Sequence, residues 1–119
     1  MDTLDKWAAK HKALSEPLRI RLLCLVAASP DICVCDLIAI TGASQSMVSR
    51  HLAYLRNSGW LTVRREKLWM HYTIAQQEEK MDQAILENLQ KHGELSQRIK
   101  ADMAELAKLD NLDKSTRSC

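Results

Sequence analysis

Two cysteines separated by one residue, Cys33 and Cys35, are the side chains of this 119-residue chain best suited to chemistry. Thiolates are soft ligands and a helix N-terminus favours the ionised thiol, so two thiols at such a start can converge on a thiophilic ion. The spacing alone leaves a second possibility open, a pair of core cysteines that bind nothing. Cys24 falls in an almost wholly apolar stretch and reads as a buried, inert thiol. Cys119 is either an incidental surface thiol or a third sulfur folded back by the tail. His11, His71 and His92 read as packed or solvated groups rather than ligands. The start of the chain carries charge at Asp2, Asp5, Lys6, Lys10 and Lys12, unlike the apolar stretch of an export signal. The four cysteines are therefore expected to stay reduced in a cytoplasmic protein.

A second constellation lies immediately downstream. Gln45, Ser46, Ser49, Arg50 and His51 would project from one helix whose apolar positions, Met47, Val48, Leu52 and Leu55, face a core. Gln pairs with adenine edges, Arg with guanine, and Ser or His with bases or phosphates, a composition suited to a helix end entering a major groove. Any solvent-facing helix can carry such residues, so the surrounding charge matters. The chain has a net charge of +2, yet residues 44–75 alone carry +4, against 0 for residues 1–43 and −2 for residues 76–119. Within that basic third, Arg64, Arg65 and Lys67 would reach phosphates or a minor groove, opposed by Glu66.

Elements must hold these groups in place. Apolar residues make up 46% and charged residues 27%, which excludes a disordered or collagen-like chain, and no apolar run is long enough to span a membrane. Few aromatics, three Gly and two Pro point to a mainly helical single domain over residues 1–119. Leu4, Trp7, Ala8, His11 and Leu14 predict an amphipathic helix over residues 4–14, and Ser15-Glu16-Pro17 ends it. The next helix is apolar nearly all round and forms the core. A short third helix carrying Val34, Leu37, Ile38 and Ile40 stops at Gly42, and Ser44 caps a recognition helix over about 44–57. Two such helices joined by a tight Gly turn make a helix-turn-helix. Leu61–Val63 and Trp69–Ile74 alternate as strands of a wing over about 61–74, separated by the charged stretch 64–68. Helical periodicity returns over about 78–109, interrupted at His92-Gly93, and residues 110–119 are expected to fray. The first and last helices carry apolar stripes that predict a dimer surface, with packing onto their own core as the alternative.

Ala13-Leu14-Ser15-Glu16-Pro17-Leu18-Arg19, Ile32-Cys33-Val34-Cys35-Asp36-Leu37, Ser44-Gln45-Ser46-Met47-Val48-Ser49-Arg50-His51-Leu52 and Trp69-Met70-His71-Tyr72 occur in that order, and over residues 10–75 the chain resembles the ArsR/SmtB metal-responsive repressors. The resemblance implies a winged helix-turn-helix homodimer that binds a palindromic operator without metal and leaves it when metal binds. Cys-Val-Cys-Asp-Leu is similar to the arsenic- and antimony-responsive branch, implying Cys33 and Cys35 as thiolate ligands of As(III) or Sb(III). Where that branch commonly has a further cysteine, this chain has Ile38; the third ligand is then Cys119, Cys24, a small-molecule thiol or hydroxide. The cadmium and lead branch adds N-terminal cysteines absent here. The zinc branch places Asp and His pairs on its last long helix, a spacing that Asp82, Ala84, His92 and Glu94 do not reproduce.

The function expected from the sequence is repression of an arsenic-resistance operon through double-stranded operator DNA, relieved by trivalent arsenic or antimony, with no organic cofactor and no membrane partner. The alternatives keep the fold and change the trigger to cadmium, lead or thiol oxidation. No βαβ pattern accompanies the Cys-x-Cys, so no enzyme is expected.

Overall fold

In the computed structural model, which describes residues 2–112, α1 (Thr3–Ala13) and α2 (Pro17–Ala28) precede a two-residue strand, β1 (Ile32–Cys33), and α3 (Val34–Thr41). Next come α4 (Gln45–Asn57) and a hairpin of β2 (Leu61–Glu66) and β3 (Trp69–Ile74). The described chain finishes with α5 (Lys80–His92), one 3-10 turn (Gly93–Leu95) and α6 (Gln97–Asp110). No helix among the described residues is long and apolar enough to cross a membrane.

The core grows from α2. Pro17 opens that helix with a fixed φ, and the Glu16 carboxylate accepts from the backbone N–H of Leu18 at 3.0 Å and of Arg19 at 3.3 Å. Leu22, Leu23, Leu25 and Val26 are fully buried, and Leu37, Val48, Leu52, Leu55, Leu61 and Tyr72 pack around them from α3, α4 and the hairpin. Trp60, also fully buried, donates its indole N–H to the Lys10 carbonyl at 3.0 Å and so ties α1 to the start of the hairpin.

The turn before α4 sets that helix's direction. Gly42, at φ +70, ends α3 in the left-handed conformation that glycine adopts without a Cβ clash, and Ser44 Oγ accepts from the Met47 N–H at 3.2 Å. α3, this turn and α4 form a helix-turn-helix, with the β2–β3 hairpin as its wing.

Three features depart from the sequence reading. First, Ile32 and Cys33 form a strand, paired antiparallel with Tyr72 and His71 in a sheet ordered β1-β3-β2. Two residues are too few to show alternation, and only the presence of β3 makes them a strand. Second, β2 continues through Arg64, Arg65 and Glu66, and the turn shrinks to Lys67-Leu68. Charged side chains facing solvent do not oppose pairing, because the ladder is made by the backbone. Lys67, at φ +57, takes the positive φ for which the sequence offered no Gly or Asn. Third, the helical stretch expected over 78–109 breaks at His92-Gly93 as read, but its second half, α6, folds back instead of continuing toward a dimer surface. Ser96 caps α6, and a Cβ placed on Gly93 would lie 3.3 Å from Ile99 Cγ2, a close approach that lets the chain fold back. α6 packs on α2, burying Ile99 and Leu106, so the last helix lies against its own core. The expected frayed segment falls, from residue 113 onward, outside the described residues.

Candidate nucleic-acid interface and thiol pair

α4 turns Val48, Leu52 and Leu55 into the core, which leaves Gln45, Ser46, Ser49 and Arg50 exposed on the opposite side of its first turns. Ser44 and Ser46 hydroxyls lie 3.5 Å apart at the helix start. Met47, expected in the apolar stripe, is exposed instead, one position round from the buried Val48.

His51 is placed differently from those four. Its side chain is largely covered; Arg19 Nη1 donates to His51 Nδ1 at 3.1 Å, and His51 Nε2 faces the Glu16 carboxylate at 3.8 Å. The same Arg19 guanidinium lies 4.2 Å over the Tyr54 ring and donates from Nε to the Ala13 carbonyl at 2.7 Å. His51 therefore couples α4 to the start of α2 instead of projecting outward. Sequence reasoning missed this because Glu16 and Arg19 lie more than 30 residues earlier in the chain.

The wing is also asymmetric. Arg65 and Lys67 are exposed, with Arg65 Nε donating to the Lys67 carbonyl at 3.1 Å. Arg64 grips Asp31 with two bonds, Nε to Oδ1 at 2.7 Å and Nη2 to Oδ2 at 2.5 Å, and reaches Glu66 Oε2 from Nη1 at 3.2 Å. The Asp31 bonds raise the Arg64 pKa above its usual range, with Glu66 adding to the effect.

Cys33 ends β1 and is also the N-cap residue of α3, with Cys35 one residue into that helix. Their sulfurs are 3.2 Å apart. A helix start was expected to lower the thiol pKa; the structure shows the reverse for Cys33, whose pKa is raised. Burial is the larger effect and the Asp36 carboxylate adds to it, against the opposing backbone N–H groups of Cys35 and Asp36. Cys24 is a free, buried thiol pushed up to about 11 by burial and by Asp102. It lines a cavity of about 230 Å³ together with Leu89, Ile99 and Met103 and with the polar Gln90, Lys91 and Glu94, and the described residues contain no group of three or more Cys, His, Asp or Glu that could hold a metal ion. Cys119 lies outside the described residues.

A soft ion fixes the spacing of the sulfurs that hold it. Two sulfurs each about 2.3 Å from one ion are about 3.8 Å apart in a tetrahedron and about 3.2 Å apart at a right angle. The observed separation is that of the narrower angle, as in a pyramidal centre; Cys33 carries a thiol, whereas Cys35 is disulfide-bonded and would have to be reduced before both sulfurs could bind an ion.

The model of the "Bacterial regulatory protein, arsR family" matches residues 16–62. The chain is 41% identical over 63 residues to the "Arsenic resistance transcriptional regulator ArsR2" of Pseudomonas putida, covering 53% of this chain and 55% of that protein. It is 30% identical over 77 residues to the "Arsenical resistance operon repressor" of Bacillus subtilis, covering 65% of this chain and 73% of the relative. Among the curated relatives it matches first, the chain thus spans about half their length. In fold it is similar, at TM-score 0.60 and 27% identity over 75% of this chain and 85% of the other, to the homodimeric winged helix-turn-helix DNA-binding domain of Mb0332 from Mycobacterium bovis, described as a possible ArsR-family transcriptional regulator.

Proposed function

The chain belongs to the arsR family of bacterial regulatory proteins, and from that premise we propose that it is a cytoplasmic repressor of an arsenical-resistance operon, bound to double-stranded operator DNA as a homodimer and released by As(III) or Sb(III) at Cys33 and Cys35. The observation that carries this reading is the 3.2 Å sulfur pair at the start of α3, the helix that leads through the Gly42 turn into α4.

Gln45, Ser46, Ser49 and Arg50 read base edges and phosphates in the major groove, while Arg65 and Lys67 hold the backbone beside it. His51 and Arg64 belong to the same surface but enter it already bonded, His51 to Arg19 and Arg64 to Asp31. Cys33 and Cys35, once reduced, hold the inducer, the third position falling to Cys119, a small-molecule thiol or hydroxide, with Cys24 set aside by its burial. Bound there, the ion supplies a soft centre that joins the thiolates of the strand end and the helix start. Cys33 and Cys35 then constrain how β1 meets α3, and α3 passes that constraint to α4 through contacts within the helix-turn-helix. A loss of operator affinity of a few hundredfold needs about 3 to 4 kcal/mol of difference between the two states.

The dimer face is α1 with α5. Leu4 and Met81 are exposed there, and Trp7 Nε1 and Asp82 Oδ1, both buried, have no hydrogen-bond partner among the described residues. Such orphaned groups call for a partner, and a second copy packed on this face would supply one. The disulfide at Cys35 also favours a second trigger, oxidation of the reduced cysteines, in which two thiols give two protons and two electrons to an oxidant such as peroxide.

Fluorescence anisotropy of the reduced protein on its upstream promoter DNA, at one fixed salt concentration, tests the reading. Arsenite should release wild type, while Cys33→Ser/Cys35→Ser should bind DNA and stay bound. Release of the double variant would place the inducer site elsewhere. Release by peroxide with no response to arsenite would favour the oxidative trigger.

A further inference from the structure

The thiol pair is joined to the wing as well as to the recognition helix. Cys33 lies opposite His71 on β3, and His71 lies opposite Arg64 on β2, so one cross-strand row runs from the thiol to the wing cation. A second connection runs alongside. Asp31, two residues before Cys33, holds the Arg64 guanidinium with both carboxylate oxygens, and its carbonyl accepts from His71 Nδ1 at 3.1 Å. Asp31 sits at φ +64, a left-handed conformation that Asp tolerates better than most residues and that aims the carboxylate from the loop onto the wing.

We propose that Asp31 is a positioning residue that withholds Arg64 from the DNA backbone, and that this Asp31–Arg64 clasp carries the state of the thiol pair into the wing. The inference rests on the thiolate reading above. Asp31 and a DNA phosphate are alternative partners for one guanidinium, because both bind it through paired oxygens. The clasp is half exposed, with side-chain exposures of 51% for Arg64 and 44% for Asp31, and exposed pairs open at little cost. A phosphate can therefore take Arg64 when β1 is free to shift. When Cys33 and Cys35 are tied to one ion, β1 and the loop before it are fixed, and the clasp stays closed. Glu66 is a weaker competitor on the same guanidinium, from the same strand and independent of the thiols.

Asp31→Asn tests this, since Asn tolerates the same positive φ and keeps the side-chain volume while losing the charge. One further phosphate contact steepens the salt dependence by about one and raises affinity roughly five- to tenfold near 0.1 M salt. Operator anisotropy of the arsenite-bound Asp31→Asn protein should show both effects while the ion-free protein stays close to wild type, so the factor by which arsenite weakens binding should fall by the same roughly five- to tenfold. Arg64→Gln should lower ion-free affinity by a similar factor, and adding Asp31→Asn to it should change nothing further. If wild type is released while Asp31→Asn matches it in salt slope and release factor, the clasp is overturned and the thiolate reading stands. If wild type binds the operator and arsenite does not release it, the thiolate reading fails and the relay fails with it.

Discussion

Removing the arginine of the Arg21–Asp102 pair should destabilise the protein far more than removing both partners. Arg21 donates from Nε and Nη2 to the two Asp102 oxygens, each at 2.9 Å, and from Nη2 to the Thr41 carbonyl at 3.3 Å. The bridge therefore fastens α6 to α2 and to the last residue of α3. Asp102 is almost fully buried, with its side chain only 4% exposed, so Arg21→Met leaves a carboxylate without water or counter-charge. Losing one member of a buried pair costs about 3 to 5 kcal/mol; the 19% exposure of Arg21 places this case near the lower end, about 3 kcal/mol. At this chain length that is about 12 °C in Tm. In Asp102→Leu the arginine can turn toward water, and the cost should be about half as large. Arg21→Met/Asp102→Leu should return to within about 1 kcal/mol of wild type, since no charge is then buried. Urea and thermal unfolding followed by circular dichroism, at one fixed protein concentration, give the comparison. A double variant as unstable as Arg21→Met, or a single-variant cost below about 1 kcal/mol, would refute the argument from desolvation.

Three further outcomes are expected. Ser44→Ala should lose about 1 kcal/mol of stability with the cap on α4, whereas Ser44→Asp should keep the cap, retain stability in urea and weaken DNA binding by placing a negative charge near phosphate. Lys67→Ala should lower operator and random-sequence affinity alike and reduce the salt slope by about one, whereas Arg50→Ala should cost about 1 to 3 kcal/mol and relax preference at one base position, as read by anisotropy on point-substituted operators. Cys24 supplies an alkaline test: its thiol titrates near 11 in the folded chain and near 9 unfolded, so the folded state binds more protons in that window. Stability should be at its plateau below pH 9 and fall by about 2 kcal/mol toward pH 11, and Cys24→Ala should lack that part of the decline in urea unfolding.

The order of elements was legible in the residues because each signal is local. Pro17 at a helix start, Gly42 past a helix end and Ser44 before a polar-apolar repeat act on their own few residues, and α2, α3 and α4 begin or end at them. The exposed edge of α4 followed from the same repeat, since Val48, Leu52 and Leu55 on one side leave Gln45, Ser46, Ser49 and Arg50 on the other. Met47 escaped that logic because hydrophobicity does not say which edge of an apolar stripe is covered; neighbouring elements decide it.

What the sequence determined by itself, then, was a helix-turn-helix with a basic hairpin and a Cys-x-Cys where the third helix begins, all set by spacings of a few residues. Tertiary structure alone decided the rest, because the deciding partner in each case lies far away along the chain. Ile32 and Cys33 are a strand only because Tyr72 and His71 come alongside. Arg64 is a bonded cation only because Asp31, 33 residues earlier, reaches it, and His51 faces inward only because Arg19 meets it. Cys33 shows the difference most directly. Its position at a helix start argued for a lowered pKa, yet burial raised it, because desolvation depends on everything packed around the sulfur and no short stretch of sequence records that.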